Sequence, residues 1–542
     1  MLLERTNLSD RLKRRHSSRL AGAARILWAG LLTVGVSTAL SAGGQARAVA
    51  AAPTACETLT SLSPPNATVT SAKTVAAGAF VPNPNGQGGA RRGGGLPANQ
   101  FADLPPFCRV EGTVARPGDT DVKFEVWMPT TGWNGDFQPA SSGFAGGTIG
   151  YPQMARILKT GAATVNTNRG HDGGGPWKPA DMAALPYHLS VATAKTIVAA
   201  HYGRGPGFSF MNECGGSGSR DALQVVQTAP ADLDAAVGQG IIYYSTRHGV
   251  SQAWIYQAAH KDPANPLPVS KLAMIHQGAL DACDARDGVK DGVLGDPQHC
   301  AFDPAVLLCQ SGDAPNCLTA SQVEAVKQIY SPPVHTRTKQ HLYGAMPPGS
   351  ELSWAALIGP NLYAYAQQFY RNLVFKDPAW EYARRPVNFD TDVDLGDAQE
   401  NLAINANDPD LSAFVGRGGK LLLVGGWGDD LPPYSFIDYY ESVVAKMGER
   451  KTRDSVMLFM VPAMSHCLGE DYSYAPTTNF DAVGFIRRWK ASGKAPRQIV
   501  VTQTAKGEAP HQRLVCAYPA VARYKGTGSS EDPANFACRV PR

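Results

Sequence analysis

Within its 542 residues the chain has no CxxC pair, no long basic run in its body, and little net charge for its size. Without a CxxC pair, a zinc ribbon or a thioredoxin-type redox motif is poorly supported. Fifty basic against 46 acidic residues leave only +4, and with no basic stripe there is no electrostatic case for a nucleic-acid partner. Long apolar runs are also scarce outside the N-terminus. There "RLKRRHSSRL" (11–20) is a basic region, and the apolar "AGAARILWAGLLTVGVSTALSA" that follows ends in small residues suited to signal peptidase. Arg25 and several glycines interrupt that run, which weakens a membrane anchor as its reading. Residues 1–50 are therefore expected to be a cleaved export signal, leaving a mature protein that is secreted or periplasmic and has no membrane span.

What is present fits that compartment. Ten cysteines, all beyond the expected cleavage point, form an even set, and export with an even count favours disulfides over free thiols. The Gly- and Pro-rich stretch 80–100 reads as a surface loop. After it, strand-like and helical runs alternate: "VKFEVWMP", "AATVNTN", helical "LSVATAKTIVAAHYG", strand "GFSFMNE", helical "SRDALQVVQTAP". Alternation of this kind predicts a mainly parallel sheet with helices on its faces. It resumes with "KLLLVGGW", "YSFIDYYESVVAKMG" and "SVMLFMVP". Between the halves, about 160 residues (246–407) do not alternate and hold four cysteines. They read as an insertion, a lid over the C-terminal edge of the strands where ligands bind in open α/β sheets. The core is then 51–245 together with 408–542.

Three places just past predicted strands carry Ser, Asp and His in the chain order of α/β-hydrolases. The first is "CGGSGSR" (214–220), a Gly-rich turn between strand and helix. An elbow needs small residues two positions either side of its vertex. Ser217, flanked by Gly215 and Ser219, meets that condition, whereas Ser219 has Asp221 after it. Ser217 is the better vertex and the candidate nucleophile, with a helix N-cap as its alternative role. His466 in "MSHC" is the candidate general base. Asp429 in "GGWGDD" is its orienting acid, and the adjacent Asp430 competes for that place.

These residues, together with "AKTIVAAHYGRGPGFSF", "PADLDAAVGQG", "DACDARDGVKDGVLGDPQHCAFDP", "CLTASQVEAVKQIY" and "PPGSELSW", resemble the tannase and feruloyl esterase family of α/β-hydrolases. That family also contains mono(hydroxyethyl) terephthalate hydrolases. The resemblance covers nearly the whole chain after the signal. It implies a Cys-Ser, Asp, His-Cys arrangement in which the cysteine before the nucleophile is bonded to the one after the histidine. Cys214, Asp429 and His466-Cys467 match it, but Gly215 stands where the serine belongs, and the stretch is one residue longer than the family's pattern. Two readings follow: the vertex has moved to Ser217, or the nucleophile is lost and a ligand-binding relative remains.

The resemblance further implies the disulfides Cys56–Cys108, Cys214–Cys467, Cys283–Cys300, Cys309–Cys317 and Cys516–Cys538. It also implies an oxyanion loop in "SSGFAGG" (141–147) with the Gly143 amide as a donor, joined by Gly218, the residue after Ser217. In "CDARDGVKDGV", Asp284, Asp287 and Asp291 alternate with glycines so that carboxylates, with the Val289 and Val293 carbonyls, could wrap a hard cation. The resemblance implies a structural calcium there. His171 matches a family histidine and is expected to be structural. The function expected is a secreted serine esterase acting on small aromatic esters, gallates or hydroxycinnamates, through an acyl-enzyme. Its alternative is a relative that binds such esters without turnover. Oligomeric state is not readable.

Overall fold

The structure, a computed structural model, describes residues 52–82, 100–143, 146–172 and 177–541. The expected signal and most of the 80–100 loop lie outside the described residues. Strands β1 (Ala67–Val75), β2 (Phe107–Val114), β3 (Val122–Pro129) and β5 (Thr164–Thr167) form an antiparallel sheet in the order β1-β2-β3-β5. A parallel sheet in the order β4-β6-β7-β8-β9 is built from β4 (Asp136–Phe137), β6 (Phe208–Cys214), β7 (Ala235–Gln239), β8 (Lys420–Gly426) and β9 (Val456–Val461). The two are stitched by a bridge between Phe137 and Ala163 and by Gln138 N–H donating to the Ala163 carbonyl at 2.9 Å.

Sequence explains the difference between the sheets. β7 and β9 are buried at every position, as strands covered by helices on both faces must be. β2 alternates buried and half-buried residues over most of its length, the mark of a sheet with one wetter face. Along β8 and β9 successive side chains enter opposite cores. Leu421, Leu423, Leu458 and Met460 join one with Val191, Ile197, Leu223, Val226 and Phe436 from three helices. Leu422, Val424, Met457 and Phe459 join the other with Phe485, Ile486 and Trp489 of the helix Ala482–Ser492.

Between β7 and its neighbour β8 the chain leaves the sheet after Gln239 and returns at Lys420. This insertion carries its own apolar clusters. One is centred on Phe369, Tyr370 and Trp380, the other on Ile275, Val326 and Trp354. The aromatic residues Trp354, Phe369 and Trp380 are thus spent on its interior. After β9 come β10 (Thr477–Asn479), β11 (Gln498–Thr504) and β12 (His511–Cys516), then the hairpin of β13 (Val521–Tyr524) and β14 (Phe536–Arg539). All five disulfides implied by the resemblance are present. No described helix is long and apolar enough to cross a membrane.

Candidate active site

Strand β6 runs into the helix Gly215–Thr228 without an intervening loop. The turn is made at Gly215, whose φ of 79° lies in the left-handed region that a glycine adopts without strain. A Cβ built on Gly215 would lie 3.1 Å from His466 Nε2. The vertex that faces the histidine is therefore Gly215, and the expectation that Ser217 forms it is corrected. Ser217 is the third residue of the helix and is half-buried.

Glycine is a poor helix former, which is why the sequence suggested a loop through 218. Packing decides otherwise. A Cβ on Gly216 would come within 2.0 Å of Ile242 Cδ1, and one on Gly218 within 2.9 Å of Glu213 Oε2. These glycines let the first helical turn lie directly on β6 and on the segment after β7. Ser219 fastens the same contact: it is fully buried, and its hydroxyl lies 2.8 Å from the Gly215 carbonyl and 3.2 Å from that of Gly240.

Asp429 stands three residues beyond β8, fully buried, with Oδ1 accepting the Leu431 amide at 2.9 Å. His466 follows β9, and its Nδ1 lies 2.9 Å and 3.2 Å from the two Asp429 oxygens. Nδ1 faces Asp429, which answers the choice left open with Asp430. Burial raises the pKa of Asp429, an effect that the neighbouring imidazole opposes. A proton shared between Nδ1 and this carboxylate fixes the tautomer in which Nε2 is the acceptor. Three further contacts hold the ring. The Cys214–Cys467 disulfide ties it to the end of β6. Leu468 N–H donates to Gln239 Oε1 at 2.9 Å. Gly240, at φ 54°, lies so close that a Cβ there would be 2.6 Å from His466 Nδ1 and Cε1.

The expected oxyanion donors each have other neighbours. Gly143 N–H is directed at Ser141 Oγ at 3.2 Å, and Gly218 is buried against Glu213 inside the helix. With the vertex at Gly215, the amide that follows it belongs to Gly216, at a helix N-terminus where backbone N–H groups lack intrahelical partners. Behind this corner lies a buried polar network that the sequence reading missed. Glu213 accepts the Ser141 amide at 3.0 Å, and Ser141 Oγ donates to Asp221 at 2.7 Å. Asp221 is also paired with Arg169 and Arg220, both fully buried. Burial, with Asp221 nearby, pushes the Glu213 carboxyl up to about 8. Only the adjacency of Glu213 to Cys214 and of Arg220 to Asp221 hinted at it.

In the loop after Cys283, the Asp291 and Gly292 amides donate to Asp284 at 3.2 and 2.9 Å. The Val289 amide donates to Asp287 at 3.0 Å and the Val293 amide to Asp291 at 3.2 Å. Arg513 pairs with Asp291 at 3.0 Å. Asp284 and Asp287 are buried and have no ion-pair partner within 4.0 Å among the described residues. Gly288 and Gly292 take φ of 100° and 76°, the bends that wrap this loop. The donors are all oxygen and acidic, the chemistry a hard cation prefers, although the three carboxylates do not all lie within 4.8 Å of one another. His171 sits 3.2 Å from the buried Asp181, itself paired with Arg116 at 2.7 Å. That placement gives His171 a structural partner.

The family model "Tannase and feruloyl esterase" matches residues 108–539. The chain belongs to the tannase and feruloyl esterase family. An uncharacterized esterase of Xanthomonas campestris pv. campestris is 33% identical over 92% of this chain and 93% of its own length. The mono(2-hydroxyethyl) terephthalate hydrolase of Piscinibacter sakaiensis is 30% identical over 81% of this chain and 86% of its own. The crystal structure of feruloyl esterase B from Aspergillus oryzae superposes with a TM-score of 0.76 at 25% identity, covering 89% of this chain and 99% of that one. The core is thus an α/β-hydrolase fold, and this member of the family is a carboxylic ester hydrolase.

Proposed function

We propose that the protein is an exported esterase that hydrolyses small esters of aromatic acids, gallates, hydroxycinnamates or terephthalate monoesters among them. His466 is its general base and Asp429 the group that orients it. One observation carries the reading: His466 Nδ1 lies on Asp429 at 2.9 Å while Nε2 lies 3.1 Å from the Gly215 Cβ position, at the C-terminal ends of β6, β8 and β9. An imidazole held in this way takes a proton from an attacking hydroxyl and returns it to the departing alcohol. The Gly216 amide at the helix start is the proposed oxyanion donor, and Gly143 joins it if ester binding draws its amide off Ser141. The substrate class is supported by relatives named feruloyl esterase and mono(2-hydroxyethyl) terephthalate hydrolase. Export is supported by ten cysteines all held in disulfides.

The insertion is proposed as the lid that shapes the acyl pocket. Asp284, Asp287 and Asp291, with the Val289 and Val293 carbonyls, are proposed to hold a structural calcium. Bound there, the ion would stiffen the loop and take no part in acyl transfer. Ser217, the candidate nucleophile of the sequence, stands two positions past the vertex, so its role is decided by experiment. The test is an ester panel (methyl gallate, methyl ferulate, a terephthalate monoester and an alkyl acetate) run on the mature protein and on His466→Ala. Preference for the aromatic acids, with loss of at least ~1000-fold in the variant, is expected. Turnover that survives in His466→Ala, or a preference for the acetate, refutes the assignment. A folded protein that binds these esters and turns none over is a binding protein on the same frame.

A further inference from the structure

The elbow of this chain has its strand, its helix and its histidine, but its vertex carries no side chain. Deepening the reading that esters are hydrolysed at His466, we propose that His466 activates a water molecule directly over Gly215, so that the ester is cleaved in one displacement with no acyl-enzyme.

The argument runs through the nucleophiles the elbow offers. Gly215 and Gly216 have no hydroxyl, and the Gly216 Cβ position is taken up by Ile242. Cys214 is bonded to Cys467 and offers no thiolate. Ser219 is fully buried with its hydroxyl 2.8 Å from the Gly215 carbonyl and 3.2 Å from that of Gly240. Ser217 is the third residue of the helix, whereas the Cβ position that meets Nε2 is that of Gly215, two residues before it. A hydroxyl on a Gly215 side chain would sit within hydrogen-bond reach of Nε2, since the Cβ position is already 3.1 Å from it. A water oxygen standing off the Gly215 Cα by an ordinary contact of about 3.3 Å can still reach within about 2.8 Å of Nε2.

Every atom of the step is accounted for. Nε2 takes one proton from water as the oxygen bonds to the ester carbonyl carbon, and the carbonyl π electrons move onto the oxyanion, which faces the Gly216 amide. Collapse reforms the C=O and breaks the bond to the alkoxy oxygen, which leaves with the proton that Nε2 had taken. One water and one ester become one acid and one alcohol, and the imidazole is neutral again. Asp429, buried beside Nδ1, stabilises the transient imidazolium.

The experiment uses the full mature protein, calcium present, with a 4-nitrophenyl ester of an aromatic acid followed by stopped flow, and a fluorophosphonate probe followed by peptide mass mapping. Four results are expected: no burst and no adduct in the wild type; Ser217→Ala turning over within about twofold of the wild type; Gly215→Ala, whose methyl fills the water position, slower by at least ~100-fold; and Gly215→Ser gaining a stoichiometric adduct at position 215. A wild-type adduct on Ser217, or a burst that Ser217→Ala abolishes, overturns the proposal, as does an undiminished rate in Gly215→Ala. A folded wild type with no turnover beside a Gly215→Ser variant that hydrolyses and labels overturns the water step while the ester site stands. Two folded proteins, neither of which turns over, overturn the ester reading and this inference together. Should Gly215→Ser fail to fold, the burst, the Ser217→Ala rate and the Gly215→Ala rate still decide.

Discussion

Gly426 closes β8 three residues before Asp429, and a Cβ built on it would lie 2.1 Å from the Met464 carbonyl oxygen and 2.2 Å from that of Ser465. Carbon and carbonyl oxygen settle no closer than about 3.3 Å, so Gly426→Ala must open the gap by about 1 Å. Both obstacles are backbone, in the two residues that precede His466. No rotamer change relieves them, and the segment carrying the imidazole has to retreat from Asp429. An ångström of misplacement at a catalytic group costs on the order of 100-fold in rate, about 2.7 kcal/mol of barrier. Overpacking adds about 1–3 kcal/mol of lost stability. Gly425→Ala is the control, because its Cβ would meet Phe436 and Met460 side chains at 2.2 and 2.9 Å. Those side chains can repack, so a similar fall in Tm with a rate within about fivefold of the wild type is expected. Thermal unfolding and kcat/KM on one aromatic ester, measured for both variants, make the test. A Gly426→Ala protein that keeps its rate, or two variants that lose rate equally, refutes the claim that this glycine sets the Asp429 to His466 distance.

Three further outcomes are expected. Glu213 is held protonated by burial, with its folded pKa near 8 against an ordinary 4.5. The folded state therefore binds the extra proton between those values, and stability falls as pH rises through that window by up to about 1.4 kcal/mol per pH unit. Urea midpoints from pH 5 to 8.5 should flatten in Glu213→Gln, and an unchanged slope counts against a buried acid there. Replacing Cys214 and Cys467 together by Ala should lower stability by about 2–5 kcal/mol and reduce activity, because the bond clamps the turn to the histidine; a variant as stable and active as the wild type argues against that clamp. Chelation should lower the Tm, restored by added calcium, with Asp287→Asn insensitive to both treatments. Equal Tm with and without chelator counts against the calcium assignment.

Much of this was legible in the sequence because it rests on local pattern. The continuous apolar runs of β8 and β9 announced buried parallel strands, and Asp429 and His466 were found by their positions just past them, whereas the short β7, AAVGQ, was not read as a strand. The vertex was not legible in the same way. Flanking-residue size favoured Ser217, whereas the choice of Gly215 depends on His466, which its Cβ position meets, and on Ile242, both far along the chain, with the nearby Glu213 closing the space at 218. Helix propensity misled for the same reason, since close packing on β6 outweighs the cost of three glycines in one turn. The match to Cys214 had marked Gly215 as the departure from the family's arrangement. The buried network of Glu213, Ser141, Asp221, Arg169 and Arg220 was invisible because its members come from three separated segments.

The insertion leaves the sheet beside the strand on which it returns: β7 and β8 are hydrogen-bonded neighbours, and Gly240 N–H, just past β7, donates to the Val424 carbonyl of β8 at 3.2 Å. Because the two strands are parallel, it leaves past Gln239, opposite Val424, and returns at Lys420, opposite Ala235, as a crossover spanning the strand length, and it has apolar interiors of its own. Topologically, the segment proposed to face the acyl group is an enlarged crossover between two fixed strands. A lineage can lengthen, trim or exchange it with little change in the strand register that sets Gly215, Asp429 and His466, so substrate preference is free to drift faster than the chemistry.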